Sequence, residues 1–92
     1  MQALARMRRA VREQRYRVSG HANEEMSEDG LESQDVESII MSGAIAKRFT
    51  HDVRGTRYEI AGHTVVGRHA KVVCRFLASG VLLIITAYLS EE

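Results

Sequence analysis

Residues 69–77, "HAKVVCRFL", decide how the rest of this chain is read. Ala70, Val72, Cys74 and Phe76 fall on one set of alternate positions, and His69, Lys71, Val73 and Arg75 on the other. Successive side chains of a strand point to opposite faces, so this segment is a strand with one face toward a core and one cationic face. The turn signal "ASG" at 78–80 separates it from "VLLIITAYL" at 81–89, so the two form an antiparallel hairpin. If the row Val81, Leu83 and Ile85 joins the core, Thr86 and Tyr88 share the cationic face. A one-residue slip in register removes them from it.

The same period of two extends backward to residue 44. "AIAKRF" (44–49) and "TRYEIAGHTVV" (56–66) are rich in branched and aromatic residues and are bounded by "HDVRG" and "GR". They add two strands, each antiparallel to the next. In the longer one, Arg57, Glu59 and His63 alternate away from Tyr58 and Ile60, which makes them candidates for the same cationic surface.

Before residue 44 the period is helical. Ala3, Leu4, Met7, Ala10 and Val11 form one stripe of an amphipathic helix over residues 2–14, with arginines opposite. "YRVS" at 16–19 is a short strand. Ser19 or Gly20 caps a second helix that runs to about Asp29 and stops at Gly30. Ser33 caps a third, with Asp35 in the first turn where the macrodipole favours an anion, Val36, Ile39 and Ile40 on the buried side, and Gly43 at the end. The order α, β, α, α, β, β, β, β predicts an α+β fold, its helices packed on one face of a mostly antiparallel four- to five-stranded sheet.

With 92 residues, 45% of them hydrophobic, the chain has material for one core, so residues 1–92 are read as one domain: a basic amphipathic helix within 1–15 and an α+β body over 16–92. It has no proline, no repeat and no low-complexity segment. The longest apolar run, Val81 to Ile85, is too short to span a bilayer, which predicts a soluble protein without a membrane role. Cys74 is the only cysteine, which excludes an internal disulfide and fits a reducing cytoplasm. Arg6, Arg8, Arg9 and Arg12 superficially suggest an organellar transit peptide, but serine is missing there. The formal net charge of +1 gives no global argument for a nucleic-acid partner. Its distribution says more: bases cluster in 6–17 and return between Lys47 and Arg75, whereas acids concentrate between Glu24 and Glu37.

Three strings carry a resemblance. "YRVSGHANEEMSEDGLESQDVESIIMSG", then "RYEIAG" and "VVCRFLASGVLLIITAY", resemble a family of small bacterial domains of unknown function. In that family a strand leads to His-Ala-x-x-x-Met, a Gly-Leu or Gly-Ile turn, an Asp-Val helix and four strands ending in Thr-x-Tyr. The resemblance covers roughly residues 16–89 and leaves out the arginine-rich first helix. Met26, Gly30, Val36 and Ile39 are its structural matches; His21 with the Thr86-Ala87-Tyr88 ending is more specific. The family is similar in turn, more distantly, to the RelE and BrnT toxins, metal-independent ribonucleases of toxin–antitoxin pairs. The resemblance implies a RelE-like scaffold with a basic sheet face, RNA (ribosome-bound mRNA) as substrate and an antitoxin protein as partner. The family pattern often has an arginine before the turn glycine; this chain has Asp29, which would repel a phosphate held there.

Metal-independent RNA cleavage needs a base for the 2′-hydroxyl proton, cations for the phosphoryl oxygens and an acid for the leaving 5′-oxygen. The catalytic candidates are His21, Arg57, Lys71 and Tyr88, and Arg54, His69 and Arg75 are candidates for RNA binding. At His21 the helix dipole favours the neutral base, whereas Glu24 and Glu25 favour the protonated form. The architectural alternative is that His21 packs against the sheet and locks the helix to it. For the cationic row the alternative is a solvated sheet face, and for Arg54 a solvated turn. Tyr88 is an acid or a base-stacking platform.

No metal and no cofactor are expected, since His63, His69 and Cys74 lack ligand spacing, a core thiol stays protonated, and the glycines form no phosphate loop. The stripe on the first helix is narrow and lacks aromatic residues, so it is read as docking rather than membrane binding. Two functions follow: a RelE-like endoribonuclease, or a non-catalytic protein- or RNA-binding module on the same scaffold. A homodimer is a third expectation, with "VLLIITAYL" pairing edge to edge if it lies at the sheet margin.

Overall fold

The alternation at 69–77 is realised as an interior strand of a five-stranded sheet. The computed structural model describes residues 2–90. Its elements are α1 (Ala3–Arg12), β1 (Tyr16–Val18), α2 (Gly20–Asp29), α3 (Ser33–Ser42), β2 (Ala44–Phe49), β3 (Arg57–His63), β4 (His69–Phe76) and β5 (Leu82–Leu89). The sheet order is β1-β5-β4-β3-β2. β2 to β5 form an antiparallel meander, and β1 pairs in parallel with β5, so the sheet is mixed and open. A parallel partner needs a long crossover, which α2, α3 and the meander supply together.

All three helices share one core with one face of the sheet, as the sequence predicts. Met7 and Val11 of α1, Ala22 and Met26 of α2, and Val36, Ile39 and Ile40 of α3 are buried with Ile60, Val72, Cys74, Leu82, Ile84 and Ala87. Each large apolar side chain wholly removed from water contributes about 1.5–3 kcal/mol. α1 is docked rather than free: besides its apolar stripe, Arg8 donates to the carbonyl oxygens of Ile40 (3.2 Å) and Gly43 (2.8 Å), neutralising the C-terminal end of α3. α3 closes on β3 so tightly that a Cβ on Gly62 would lie 2.4 Å from the Ile39 carbonyl oxygen.

Four local expectations need correction. First, Ser19 does cap α2, accepting from Ala22 N–H at 3.0 Å, but the N-cap of α3 is Glu32, not Ser33. Glu32 and Asp35 form a reciprocal capping box, and the second Asp35 oxygen accepts from Val65 N–H. Secondly, Leu82 and Ile84, not Val81, Leu83 and Ile85, enter the core. A register shift between Val73 and Cys74 then leaves Ile85 unpaired. That bulge turns the strand over, so Thr86 and Tyr88 still reach the cationic face, by a different register from the one read in the sequence.

Thirdly, β5 is not the last strand of the sheet: β1 pairs with its first residues, Leu82 to Ile84. Beyond β1 the edge is closed by α2. Ala87 N–H donates to Glu25 (3.2 Å) and Leu89 N–H to Asp29 (2.8 Å), while the Thr86 hydroxyl donates to Glu25 at 2.7 Å. Four helical residues rise about 6.0 Å, and two strand residues about 6.8 Å. Helix positions i and i+4 therefore match alternate N–H groups of a neighbouring strand. Asp29, just before the turn glycine, serves this edge.

Fourthly, His21 does not pack against the sheet. Its side chain is 69% exposed, with Nε2 3.5 Å from Glu25 Oε1, so Glu25 locks the helix to the strand instead.

Candidate nucleic-acid interface

With every helix on the core side, the opposite sheet face is uncovered, and the strand register dictates what it presents. Ala61 and Tyr88 flank Lys71 on the neighbouring strands, Glu59 and Thr86 flank Val73, and His63 lies opposite His69. On β2, Lys47 is opposite Glu59 and Phe49 opposite Arg57. Directly paired residues share a face. One surface therefore carries Arg57, His63, His69, Lys71, Arg75 and Tyr88.

The sequence candidates fall into two clusters and one outlier. Near the β2–β3 loop, Asp52 accepts from Arg54 N–H (2.9 Å) and faces Arg54 Nε (3.3 Å) and Arg57 Nε (3.0 Å). The Arg54 backbone N–H, then its guanidinium and that of Arg57, hold the Asp52 carboxyl below its usual range. The Arg57 contact is an ion pair without the alignment of a hydrogen bond, because Nε is buried and has no acceptor in line. Its guanidinium lies 5.0 Å from the Phe49 ring centre, and Arg75 makes a long 3.4 Å contact to the Arg54 carbonyl oxygen. The open groove here, about 690 Å³, is bounded by Arg48, Phe49, Asp52, Arg54 and Arg57.

At the other end, Ala61 contributes only a methyl group, and the sheet surface dips. His63, His69, Lys71 and Ser90 surround a depression of about 380 Å³. His63 is exposed, with Nδ1 3.3 Å from the Thr64 carbonyl oxygen. The Lys71 ammonium and the Tyr88 hydroxyl make no hydrogen bond or ion pair among the described residues. His21, on the α2 side of the β5 edge, joins neither cluster. Glu59, the only acid in β3, and His63 also lie on this face, as their alternation with Tyr58 and Ile60 predicts.

Other chemistries find less support. Cys74 is buried with Sγ 3.9 Å from Met7 Sδ, and burial pushes its thiol up to about 12, far from a reactive thiolate. Among the described residues no three His, Cys, Asp or Glu side chains are grouped to hold a metal ion. No helix of the described chain is long and apolar enough to cross a membrane.

The model of one family, a domain of unknown function (DUF4258), matches residues 18–89, which takes in everything from the end of β1 to the end of β5 and leaves out α1. No curated protein and no solved structure matches the chain.

Proposed function

The chain belongs to the DUF4258 family, and on that premise we propose that the domain acts on RNA, the uncovered face of its sheet being the contact surface. One observation carries the reading: the register gathers Arg57, Lys71 and Arg75 on the sheet face opposite the described helices, with Tyr88 beside Lys71. Guanidinium and ammonium groups hold phosphates, and a tyrosine ring accepts a stacked base, so the fitting partner is single-stranded RNA. The stronger form is the RelE-like, metal-independent endoribonuclease that the sequence resemblance implies, with mRNA on the ribosome as substrate and an antitoxin protein as regulator. The exposed position of His21, away from the face, favours a second reading: a non-catalytic module that grips RNA or a protein.

Fluorescence anisotropy with a labelled single-stranded RNA tests the common part. Replacing Arg57, Lys71 and Arg75 together with alanine should abolish binding at moderate salt. Each lost phosphate contact should flatten the slope of log K against log salt by about 0.7. A triple variant that binds as tightly as the wild type removes the sheet face from consideration. Expression in a bacterial host with and without Lys71→Ala separates toxin from module, since only a toxin arrests growth.

A further inference from the structure

At the centre of this cationic face lies a carboxylate that has no structural work. Glu59 is only 8% exposed, yet among the described residues it makes no hydrogen bond and no ion pair. Of the cations around it, Arg57 is drawn to Asp52, Arg75 reaches the Arg54 carbonyl oxygen, Lys47 is exposed on the edge strand, and Lys71, diagonal to it on β4, makes no ion pair with it. Among the described residues, Arg57 Nε is the only fully buried side-chain polar atom without a hydrogen bond, so the Glu59 oxygens still reach the surface. An unpaired acid taken this far out of water lowers stability, and it also repels the phosphate that the rest of the face would attract. Opposite Val73, in mid-strand, a β-branched apolar residue would suit the sheet better.

We infer that Glu59 is a catalytic residue, the general base toward an RNA seated over Ala61 and Lys71. The inference rests on the RNA reading above and adds a chemical step to it. Along β3, Glu59 and His63 stand two positions either side of Ala61, about 6.8 Å each way. Lys71 faces Ala61 across the ladder and His69 faces His63. A phosphoryl group over Ala61 therefore has a carboxylate on one side, imidazoles on the other and an ammonium beside it, the arrangement an in-line displacement uses.

The step balances within this set. The 2′-hydroxyl proton passes to the Glu59 carboxylate, and the 2′-oxygen bonds to phosphorus. The bond from phosphorus to the 5′-oxygen breaks, and that oxygen takes a proton from the His69 imidazolium. Lys71 holds the charge on the non-bridging oxygens. A 2′,3′-cyclic phosphate and a 5′-hydroxyl result.

The test uses the full chain in EDTA with a mixed-sequence single-stranded RNA, free and as ribosome-bound mRNA, reading cleavage and binding separately. Wild type should leave 2′,3′-cyclic phosphate ends and fail on a 2′-deoxy backbone. Glu59→Gln should lose about 10²-fold or more of the cleavage rate. It should bind RNA at least as tightly, because a repelling charge has gone, and Glu59→Asp should keep part of the rate. A wild type that binds RNA and cuts neither form overturns the role of Glu59 while sparing the binding reading; one that does not bind removes both. Equal cleavage by Glu59→Gln, or a Glu59→Gln chain that melts well below wild type, overturns the inference too, the latter by assigning the carboxylate to structure.

Discussion

Replacing Glu25 with alanine tests the claim that α2 serves as a surrogate strand for the open edge of β5. One oxygen of Glu25 accepts from the Thr86 hydroxyl at 2.7 Å and from Ala87 N–H at 3.2 Å, and lies 3.5 Å from His21 Nε2. A hydrogen bond to a charged partner contributes about 1.5–3 kcal/mol. The Glu25 side chain keeps 26% of its exposure, so the two bonds sit at the low end, and the His21 contact, with its histidine largely in water, adds little. The sum is a loss of about 2–3 kcal/mol, with a fall in Tm of about 10–20 °C for a domain of this size. Glu24→Ala is the control: it removes the same charge one residue away on the exposed side, and surface changes of that kind stay within about 0.5 kcal/mol. Thermal melts of both, with Thr86→Val and the Glu25→Ala/Thr86→Val double variant, close a cycle whose coupling should be about 1 kcal/mol or more. If Glu25→Ala melts within a few degrees of Glu24→Ala, the edge is held by something other than α2.

Gly62→Ala should cost about 3 kcal/mol, because the new Cβ would meet the Ile39 carbonyl oxygen at 2.4 Å and the Gly43 Cα at 3.0 Å, and backbone cannot yield as a side chain can. A lower urea midpoint with an unchanged m-value reads this out. Met7→Ala, emptying a wholly buried site against Cys74, should lose about 2–5 kcal/mol; a near-neutral result would make α1 an appendage. Burial, and then the 2.5 Å bond its hydroxyl donates to Glu37, push Tyr16 up from 10.0 to about 12. A phenol whose folded value is raised contributes stability that is complete below about pH 10 and is lost as pH climbs toward 12. The wild-type advantage over Tyr16→Phe should shrink across that window in urea titrations. The Cys74 thiol should resist Ellman's reagent in the native protein and react only as denaturant opens the core.

What could be read from the chain and what could not divide along a physical line. Periodicity reports burial, so the element order, the apolar stripes of α1 and α3 and the two faces of β4 were legible from positions such as Val36, Ile39 and Val72. Backbone irregularity leaves no mark in periodicity. The bulge at Ile85 is invisible in "VLLIITAYL", where every residue from 81 to 85 is apolar, and Tyr88 reached its expected face only because a misread register and an unseen bulge cancelled. The parallel pairing of Tyr16 with Leu82 depends on contacts across 66 positions, which no local pattern encodes. Polar residues near chain reversals were the hardest. His21 and Glu25 lie one helical turn apart, and nothing in "SGHANEE" says which of them meets the sheet; the angle between α2 and β5 decides it.

The near-neutral charge of the chain is a weak objection to an RNA partner once the acids are placed. Glu25, Asp29 and Asp35 accept from backbone N–H groups, Glu37 from the Tyr16 hydroxyl, and Glu13 binds Arg9 and Arg15 at the far end of α1. These carboxylates belong to the helical layer and to the β5 edge, where they work as caps and struts. Screening at physiological salt limits an exposed charge to about 8 Å, less than the roughly 10 Å over which a packed layer separates two surfaces. What an approaching polyanion meets on the open face is therefore set locally, among the described residues, by Arg57, Lys71 and Arg75, with Asp52 tying down one of them and Glu59 the single acid within β2 to β5. Had the acids been spread evenly, the same net charge would give a neutral sheet. By committing them to helix caps and a strand edge, the fold separates the charges, and the cationic surface follows from that use of the acids rather than from an excess of bases.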